Sequence, residues 1–326
     1  MKFVQAETLD AVDAYRLVDA PPPAPGPGEV LVRVSACGVG YVDALVSLGR
    51  YQVKPPLPHT PGQEVGGWVE AVGDGVAGLA VGDRVMASVR GGFAELAIAP
   101  AAAVTPVPEA MTLAEAATFR VNYLTALHAL GDRAAVAAGE QVLVLGAAGG
   151  LGLAGLQVAG LLGARVVAAC STEEKRAAAQ AAGAAAVLDT APEGWRERLK
   201  EACGGRGPDV VFDPVCGPLF EPAFRSLSWR GRHLVLGFVG GPIPALPANL
   251  TLMKGAALVG VDVRQFMIFE PERAAAHMAR LLGWVAEGRL RPPVGRAFAL
   301  GEFREALEFA LTGQGIGKTV LVVAEE

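Results

Sequence analysis

Two different patterns of apolar residues divide this chain. The run EVLVRVSACGV (29–39) alternates as a strand does, and it follows the Pro/Gly-rich segment PPPAPGPG. GGWVEAVGDGV and GDRVMASV are further strand candidates, each interrupted by Gly and Asp. The first part of the chain therefore predicts an antiparallel, barrel-like β domain.

The pattern changes at about residue 112. TLAEAATFRVNYLTALHALGDRA (112–134) is rich in Ala and Leu and begins with a Thr that can cap a helix. After it, continuous apolar runs typical of strands buried on both faces recur, separated by segments of helical length. These runs are QVLVLGA (141–147), RVVAAC (165–170), AAVLD (185–189), PDVVFDPV (208–215) and GRHLVLGF (231–238). Such alternation predicts a parallel, doubly wound sheet.

Composition narrows the class of protein. A chain of 326 residues exceeds what one core usually organises, so we expect two domains. The net charge of −5, without a basic run, argues against nucleic acid as a partner. No signal-like start and no apolar run of about 18 residues is present, which predicts a cytoplasmic protein without a membrane span. The widely spaced Cys37, Cys170, Cys203 and Cys216 predict four buried free thiols.

A glycine-rich turn directly follows QVLVLGA and leads into the apolar segment LAGLQVAGLLG. A strand that turns through glycines into a helix lets backbone N–H groups approach a pyrophosphate at the positive helix end. The context of strand, turn and helix therefore predicts a dinucleotide site. Its predicted cofactor-binding residues are Ala148, Gly149, Gly150, Leu151 and Gly152.

The end of the second strand indicates which dinucleotide binds. NAD sites usually place a carboxylate there, whereas this chain has Cys170 followed by Ser171, Thr172 and Lys175. Hydroxyl donors and a cation near a helix start suit the 2′-phosphate of NADPH. The alternative is that Ser171 and Thr172 only cap the helix while Lys175 pairs with a nearby Glu.

At this point several segments together resemble a known family. They are CGVGYVDALVSLGRYQVKPPLPHTPGQEVGGWVEAVGDGV, GGFAELAI, AATFRVNYLTALHAL, AAGGLG, GRHLVLGFVGG and GKTVLVV, and they span the chain from end to end. They resemble the zinc-free, zeta-crystallin-like quinone oxidoreductases of the medium-chain dehydrogenase/reductase superfamily. The most specific parts are PGQEVGG and AAGGLG with the spacing between them.

The resemblance implies an α/β protein with two domains. Residues 1–118 and 259–326 would form a GroES-like β-barrel catalytic domain, and residues 119–258 a Rossmann domain whose doubly wound parallel sheet binds NADPH. The active site would lie in the cleft between them. The resemblance also implies a homodimer formed through the cofactor domains.

The zinc-dependent alcohol dehydrogenases of this superfamily carry a Cys and a His where this chain has Gly40 and Gln63. Catalytic zinc needs three Cys, His or carboxylate ligands, so the loss of two predicts a site without metal. Without a Lewis acid, an acceptor that spreads charge over its own conjugated atoms suits the site best. Quinones and α,β-unsaturated carbonyl compounds fit this requirement.

The resemblance also assigns roles to individual residues. Tyr41 and Tyr51 would line the substrate cleft, and Thr125 would lie near the nicotinamide. Gly237, Phe238 and Val239 would pass beside the nicotinamide, and Lys318 would reach the edge of the cofactor. Asp43 and His128 are interpreted instead as isolated titratable residues in apolar surroundings, which act as satisfied structural groups rather than as proton donors.

The leading hypothesis is a zinc-independent, NADPH-dependent reductase of quinones. An NADPH-dependent reductase of activated C=C bonds in enals, enones or enoyl thioesters would use the same hydride geometry. A protein that binds NADPH without turnover is the alternative of another class, because relatives of this family have crystallin or RNA-binding roles. The acidic balance and the lack of a basic stripe count against an RNA-binding role.

Overall fold

The computed structural model describes residues 1–324. Within them the strands are β1 (Lys2–Gln5), β2 (Arg16–Asp19), β3 (Glu29–Val39), β4 (Glu64–Val72), β5 (Arg84–Ser88), β6 (Leu96–Pro100), β7 (Val104–Pro106), β8 (Gln141–Leu145), β9 (Arg165–Ala169), β10 (Ala186–Leu188), β11 (Val210–Asp213), β12 (Arg232–Val235), β13 (Ala257–Gly260), β14 (Val294–Ala299) and β15 (Lys318–Val322). The α-helices are α1 (Tyr41–Ser47), α2 (Leu113–Leu127), α3 (Gly150–Leu161), α4 (Glu173–Ala181), α5 (Trp195–Ala202), α6 (Phe220–Ser226), α7 (Asn249–Lys254), α8 (Val263–Phe269), α9 (Pro271–Ala286) and α10 (Phe303–Thr312).

The chain folds into two compact units. The first contains Met1–Arg120 together with the segment from Leu282 onward, and the second contains Val121–Leu281. The return to the first unit therefore comes later than the predicted residue 259. A boundary there would cut β13, which pairs in parallel with β12 inside the second unit.

The first unit is built on a seven-stranded sheet. Its strands run in the order β14-β15-β3-β4-β5-β7, and β6 also pairs with β3. Most neighbours are antiparallel, as predicted, but β14 and β15 run parallel. The core includes Tyr15 and Phe93 from the first segment and Phe298, Phe303 and Leu307 from the last. Both chain ends therefore contribute to one hydrophobic core.

The helix that follows the β domain begins as its sequence predicts. The Thr112 hydroxyl accepts from the amide of Glu115 at 3.1 Å, and the Glu115 carboxylate accepts from the amide of Thr112 at 2.8 Å. This reciprocal pair is a capping box, which satisfies two amides at the helix start. Beyond α2 the chain continues as a π-helical turn, His128–Arg133.

The second unit contains a six-stranded parallel sheet. The strand order β10-β9-β8-β11-β12-β13 is the doubly wound order, in which the chain leaves β8 first in one direction and later in the other. All the apolar runs predicted as strands of this sheet form its strands. Ligands bind such sheets at the carboxyl ends of the strands, close to the point where the order reverses. That point lies between β8 and β11.

The second unit has a hydrophobic core of its own. Trp195, Phe224 and Leu143 are among the buried residues of the second core. All four cysteines are buried and free, which confirms the prediction of buried thiols. Over residues 1–324, no helix combines the length and the apolar character needed to cross a bilayer.

Candidate active site and cofactor site

The glycine-rich turn joins β8 to α3 at the carboxyl edge of the parallel sheet. Gly146 has a φ of +59°, a left-handed conformation that glycine adopts at little cost. A Cβ atom on Gly152 would lie 2.2 Å from the carbonyl oxygen of Gly146. The loop at Gly146 and the first turn of α3 therefore lie so close together that only a glycine fits at position 152.

The start of α3 offers backbone donors. No side chain caps this end of the helix. The first-turn amides, which belong to Gly150, Leu151 and Gly152, have no acceptor within the helix because the preceding turn is missing. Since the twelve-residue helix also presents its positive dipole end here, the turn suits a pyrophosphate group.

The end of β9 carries groups suited to an adenosine phosphate. Ser171 and Thr172 are exposed, and the Thr172 hydroxyl caps α4 by accepting from the amide of Lys175 at 3.2 Å. Thr172 therefore caps the helix, as the alternative interpretation expects. Its hydroxyl can still donate a hydrogen bond to a phosphate, because the cap uses the oxygen only as an acceptor. Arg176 is half-buried and donates to the carbonyl oxygen of Cys170 at 3.4 Å. Burial raises the pKa of the Cys170 thiol, and the positive charges of Lys175 and Arg176 only partly oppose this.

The segment after β12 rests on the turn after β11. The amide of Leu236 donates to the carbonyl oxygen of Asp213 at 3.0 Å, and that of Gly240 donates to Val215 at 2.8 Å. Gly237 is half-buried, and a Cβ atom there would lie 2.9 Å from the carbonyl oxygen of Pro214. Between these contacts Phe238 and Val239 are exposed, at 44% and 47%. The predicted nicotinamide segment therefore has a fixed backbone and accessible side chains.

Thr125 lies on α2 in the same unit. It is buried, and its hydroxyl donates to the carbonyl oxygen of Val121 at 2.6 Å. The hydroxyl proton is thus already used within the helix. A position near the nicotinamide stays a prediction for this residue.

His128 is not the isolated group predicted from sequence. Its Nδ1 lies 2.9 Å from the Asp132 carboxylate, which also meets His277 Nε2 at 2.8 Å and Arg273 at 2.5 Å. The His128 ring stacks on Phe266 with centroids 3.9 Å apart. Burial alone would raise the pKa of Asp132, but the hydrogen bonds from the two histidines lower it below its usual value. The prediction missed this cluster because most of its members are distant in sequence.

In the first unit, Lys318 belongs to a buried group of charges. Its ammonium donates to the Glu64 carboxylate, and both side chains are largely buried. Burial acts to lower the pKa of Lys318, but the charge and hydrogen bond of Glu64 outweigh it and raise the pKa. Lys318 is therefore held by Glu64, and a contact with the cofactor stays a prediction.

Asp43 lies in the same buried group, so the prediction that it is isolated is also wrong. Its carboxylate accepts from the amide of Gly40 at 2.8 Å. Burial raises the pKa of Asp43, and the positive charge of Lys318 only partly opposes this. Burial, assisted by the Asp43 carboxylate, also raises the pKa of the Cys37 thiol well above its usual value. The group thus combines two carboxylates, one ammonium and a neutral thiol.

The predicted substrate tyrosines also lie in the first unit. Tyr41 begins α1 and Tyr51 follows it in a loop, and both are half-buried. Thr125 belongs to the other unit. A different tyrosine is fully buried: the Tyr15 hydroxyl lies 2.6 Å from His59 Nδ1. This contact assigns His59 to a structural hydrogen bond.

The two positions at which the resemblance implies zinc ligands in related alcohol dehydrogenases carry neither a thiolate nor an imidazole in this chain. Gly40 has no side chain, and the amide of Gln63 replaces an imidazole. Among residues 1–324, no cluster of three or more His, Cys, Asp or Glu side chains could hold a metal ion.

Comparison with known proteins identifies the family. The alcohol dehydrogenase GroES-like domain matches residues 26–109, and the zinc-binding dehydrogenase domain matches residues 150–281. Quinone oxidoreductase from Homo sapiens is 34% identical over 92% of this chain and 91% of its own length. Quinone oxidoreductase-like protein 2 from Rattus norvegicus is 36% identical over 91% and 85%. The chain belongs to the quinone oxidoreductase branch of the medium-chain dehydrogenase/reductase superfamily.

Solved structures of related oxidoreductases agree with this assignment. A mycobacterial protein complexed with NADPH is 32% identical, with a TM-score of 0.91 over 99% of this chain and 100% of its own. Escherichia coli quinone oxidoreductase complexed with NADPH is 25% identical, with a TM-score of 0.89 over the same shares. The predicted combination of a GroES-like domain and a Rossmann sheet is thereby confirmed.

Two features of this quinone oxidoreductase-branch protein escaped sequence reasoning. Arg176 adds a second cation to the first turn of α4, and its place directly after Lys175 in the sequence could have revealed it. The buried pair of Asp213 and His233 joins two neighbouring strands at 3.0 Å. The two residues meet only because of the register of those strands, so no local sequence motif predicts the pair.

Proposed function

We propose that this protein is a zinc-independent reductase that transfers a hydride from NADPH to quinones. The observation that carries the cofactor assignment is the uncapped, glycine-lined start of α3 beside a second strand that ends without a carboxylate. The first feature suits a pyrophosphate and the second admits a 2′-phosphate. NADPH supplies the hydride when bound.

Lys175 and Arg176 are the proposed partners of the 2′-phosphate. Both lie in the first turn of α4, where the helix dipole adds to their positive charge. Glu173 and Glu174 precede them and are exposed, so water screens their charge. Two cations therefore favour NADPH over NADH, in keeping with the relatives solved in complex with NADPH.

The acceptor assignment rests on the residues that replace zinc ligands. With Gly40 and Gln63 at those positions, no Lewis acid stabilises an alkoxide. A quinone needs none, because the anion formed on hydride transfer is spread over its conjugated ring and oxygens. The remaining work of the protein is to position the reactants and to donate hydrogen bonds. We propose that the Tyr51 hydroxyl donates a hydrogen bond to the carbonyl group of the acceptor, and that Tyr41 lines the same site.

The assembly is proposed to be a homodimer formed through the cofactor unit, as the family resemblance implies. In the described part of the sheet, β13 is an edge strand, and Leu258 on it is 42% exposed. Leu252 and Met253 in the same unit are also exposed. Sedimentation velocity at micromolar concentration tests the proposal, and a single monomeric species would contradict it.

The decisive experiment compares acceptors and cofactors in chelator-treated protein. Oxidation of NADPH and of NADH is followed with 1,4-benzoquinone, 9,10-phenanthrenequinone and a 2-alkenal as acceptors. Quinone turnover with NADPH that is unaffected by the chelator is the expected result. Preference for the alkenal would move the assignment to reduction of activated C=C bonds. Alcohol oxidation that depends on added zinc would overturn the zinc-independent mechanism.

A further inference from the structure

A histidine and an aspartate lie fully buried in the middle of the parallel sheet. His233 on β12 and Asp213 at the end of β11 are both 0% exposed, and His233 Nε2 lies 3.0 Å from Asp213 Oδ2. The rings of Phe220 and Phe224 lie beside the imidazole, with centroids at 4.7 and 6.1 Å. Burying such polar groups among apolar side chains is costly unless they are paired. Their presence in a sheet core therefore calls for a role.

The second oxygen of the same carboxylate holds a turn. Asp213 Oδ1 accepts from the amides of Val215 at 2.9 Å and of Cys216 at 2.7 Å. Cys216 has a φ of +46°, a conformation that is strained for a non-glycine residue and persists only where the surroundings impose it. The carboxylate of Asp213 supplies that constraint.

This turn supports the segment that follows β12 by backbone contact. The Gly240 amide donates to the carbonyl oxygen of Val215, and a Cβ atom on Gly240 would lie 2.6 Å from the Cα of Gly217. With no side chain between the two segments, a shift of the turn must shift residues 236–240 as well. The position of Gly237–Val239 is thus tied to the Asp213 carboxylate.

We propose that His233 is a positioning residue for the nicotinamide half of the cofactor site, and that it acts through Asp213. The imidazole N–H donates to Oδ2 and fixes the carboxylate rotamer, so that Oδ1 points to the two turn amides. His233 Nδ1 is buried without a partner in the described chain, so the tautomer protonated at Nε2 is the one that leaves no N–H without an acceptor. This inference rests on the proposed binding of NADPH.

Three variants separate positioning from packing. His233→Leu removes the donor, whereas His233→Gln keeps an N–H donor at about the distance of Nε2. Phe220→Leu is the matched control, because it removes ring packing against His233 but leaves the hydrogen bond to Asp213 in place. NADPH affinity is measured without acceptor by the fluorescence of the bound nicotinamide, and thermal unfolding is measured on the same samples.

His233→Leu is expected to raise the Kd of NADPH roughly tenfold, which equals about 1.4 kcal/mol, and to raise the KM of NADPH more than that of the quinone. His233→Gln should recover most of the affinity. Phe220→Leu should lower the melting temperature while its Kd stays within about twofold of the wild type.

A purely structural role predicts something else: His233→Leu would lose thermal stability as Phe220→Leu does and keep the wild-type Kd. That outcome would overturn the proposal. If His233→Leu does not fold, His233→Phe, which fills the same space with an aromatic ring and has no donor for Asp213, takes its place under the same criterion. The proposed function is judged separately, since a wild type that binds NADPH but reduces no quinone refutes the acceptor assignment alone.

Discussion

The Lys318 ammonium donates a hydrogen bond to the Glu64 carboxylate although 254 positions separate the two residues in sequence. This buried pair ties the last strand, β15, to β4 within the first unit. Asp43 lies near enough for the positive charge of Lys318 to act on its carboxylate as well. The last segment of the chain is thus attached to the first by charge as well as by apolar packing.

Removing the lysine should therefore be costly. Lys318→Met leaves the Glu64 carboxylate buried without its partner, and we expect it to lower the free energy of unfolding by about 3 kcal/mol at pH 7. Urea unfolding followed by circular dichroism measures the change. The double variant Lys318→Met with Glu64→Met should recover much of the loss, because no unpaired charge from the pair stays buried. If Lys318→Met unfolds at the same urea concentration as the wild type, the pair contributes little to stability.

The two ends of α3 respond differently to an added methyl group. Gly152→Ala places a Cβ atom 2.2 Å from the Gly146 carbonyl oxygen, so the turn must move, and NADPH affinity should fall by roughly tenfold or more. Gly160 on the same helix is exposed and has nothing within 4 Å of a Cβ position. Gly160→Ala should keep NADPH affinity and stabilise the protein by about 0.5–1 kcal/mol. Titration calorimetry measures the NADPH affinity of both variants, and urea unfolding measures their stability. Equal NADPH affinities in the two variants would contradict the assigned role of the turn.

Selectivity for NADPH should depend on the cations of α4. Lys175→Ala combined with Arg176→Ala removes the proposed partners of the 2′-phosphate, and each lost charged hydrogen bond is worth about 1.5–3 kcal/mol. The Kd of NADPH should therefore rise at least tenfold, while that of NADH changes little. Arg225→Ala is the control, since Arg225 pairs with Glu221 at 2.7 Å on α6. A parallel loss of NADPH and NADH affinity in the double variant would point to a damaged fold instead.

Stability at acid pH should reveal the pair of Glu140 and Arg232. Arg232 donates to both carboxylate oxygens, at 2.7 and 2.8 Å, and this hydrogen bonding holds the pKa of Glu140 below its usual value. A depressed carboxyl pKa stabilises the folded state above the unfolded pKa of about 4.3, and the effect is lost as pH falls through the folded value. Glu140→Gln should thus cost about 1–2 kcal/mol at pH 7 and progressively less below pH ~4.3. The exposed Glu201→Gln serves as control in urea unfolding across pH, and a difference that does not narrow in acid would refute the linkage.

Sequence predicted best what local pattern determines. The strands of the parallel sheet are continuous apolar runs, and the turn at Gly149–Gly152 follows the first of them directly. The capping box of Thr112 and Glu115 is equally local. These features depend on neighbours within a few positions, so their chemistry is visible in the string of residues.

What sequence missed depends on contacts made only in the folded chain. His277 reaches Asp132 from 145 positions away, and its helix keeps the chain in the second unit beyond the predicted boundary at residue 259. Asp43 was interpreted as isolated because Lys318 and Glu64 lie far from it in sequence. In both cases the partners come from distant parts of the sequence and approach only in the folded chain, so the local sequence does not show them.

The backbone contact between the two turns has a practical consequence for engineering. A Cβ atom on Gly237 or on Gly240 would lie 2.9 or 2.6 Å from a backbone atom of the neighbouring turn, so most substitutions there would displace the backbone. Phe238 and Val239, which lie between them, are exposed on a backbone already held in place. A library aimed at new acceptors should therefore keep the glycines constant and randomise those two side chains.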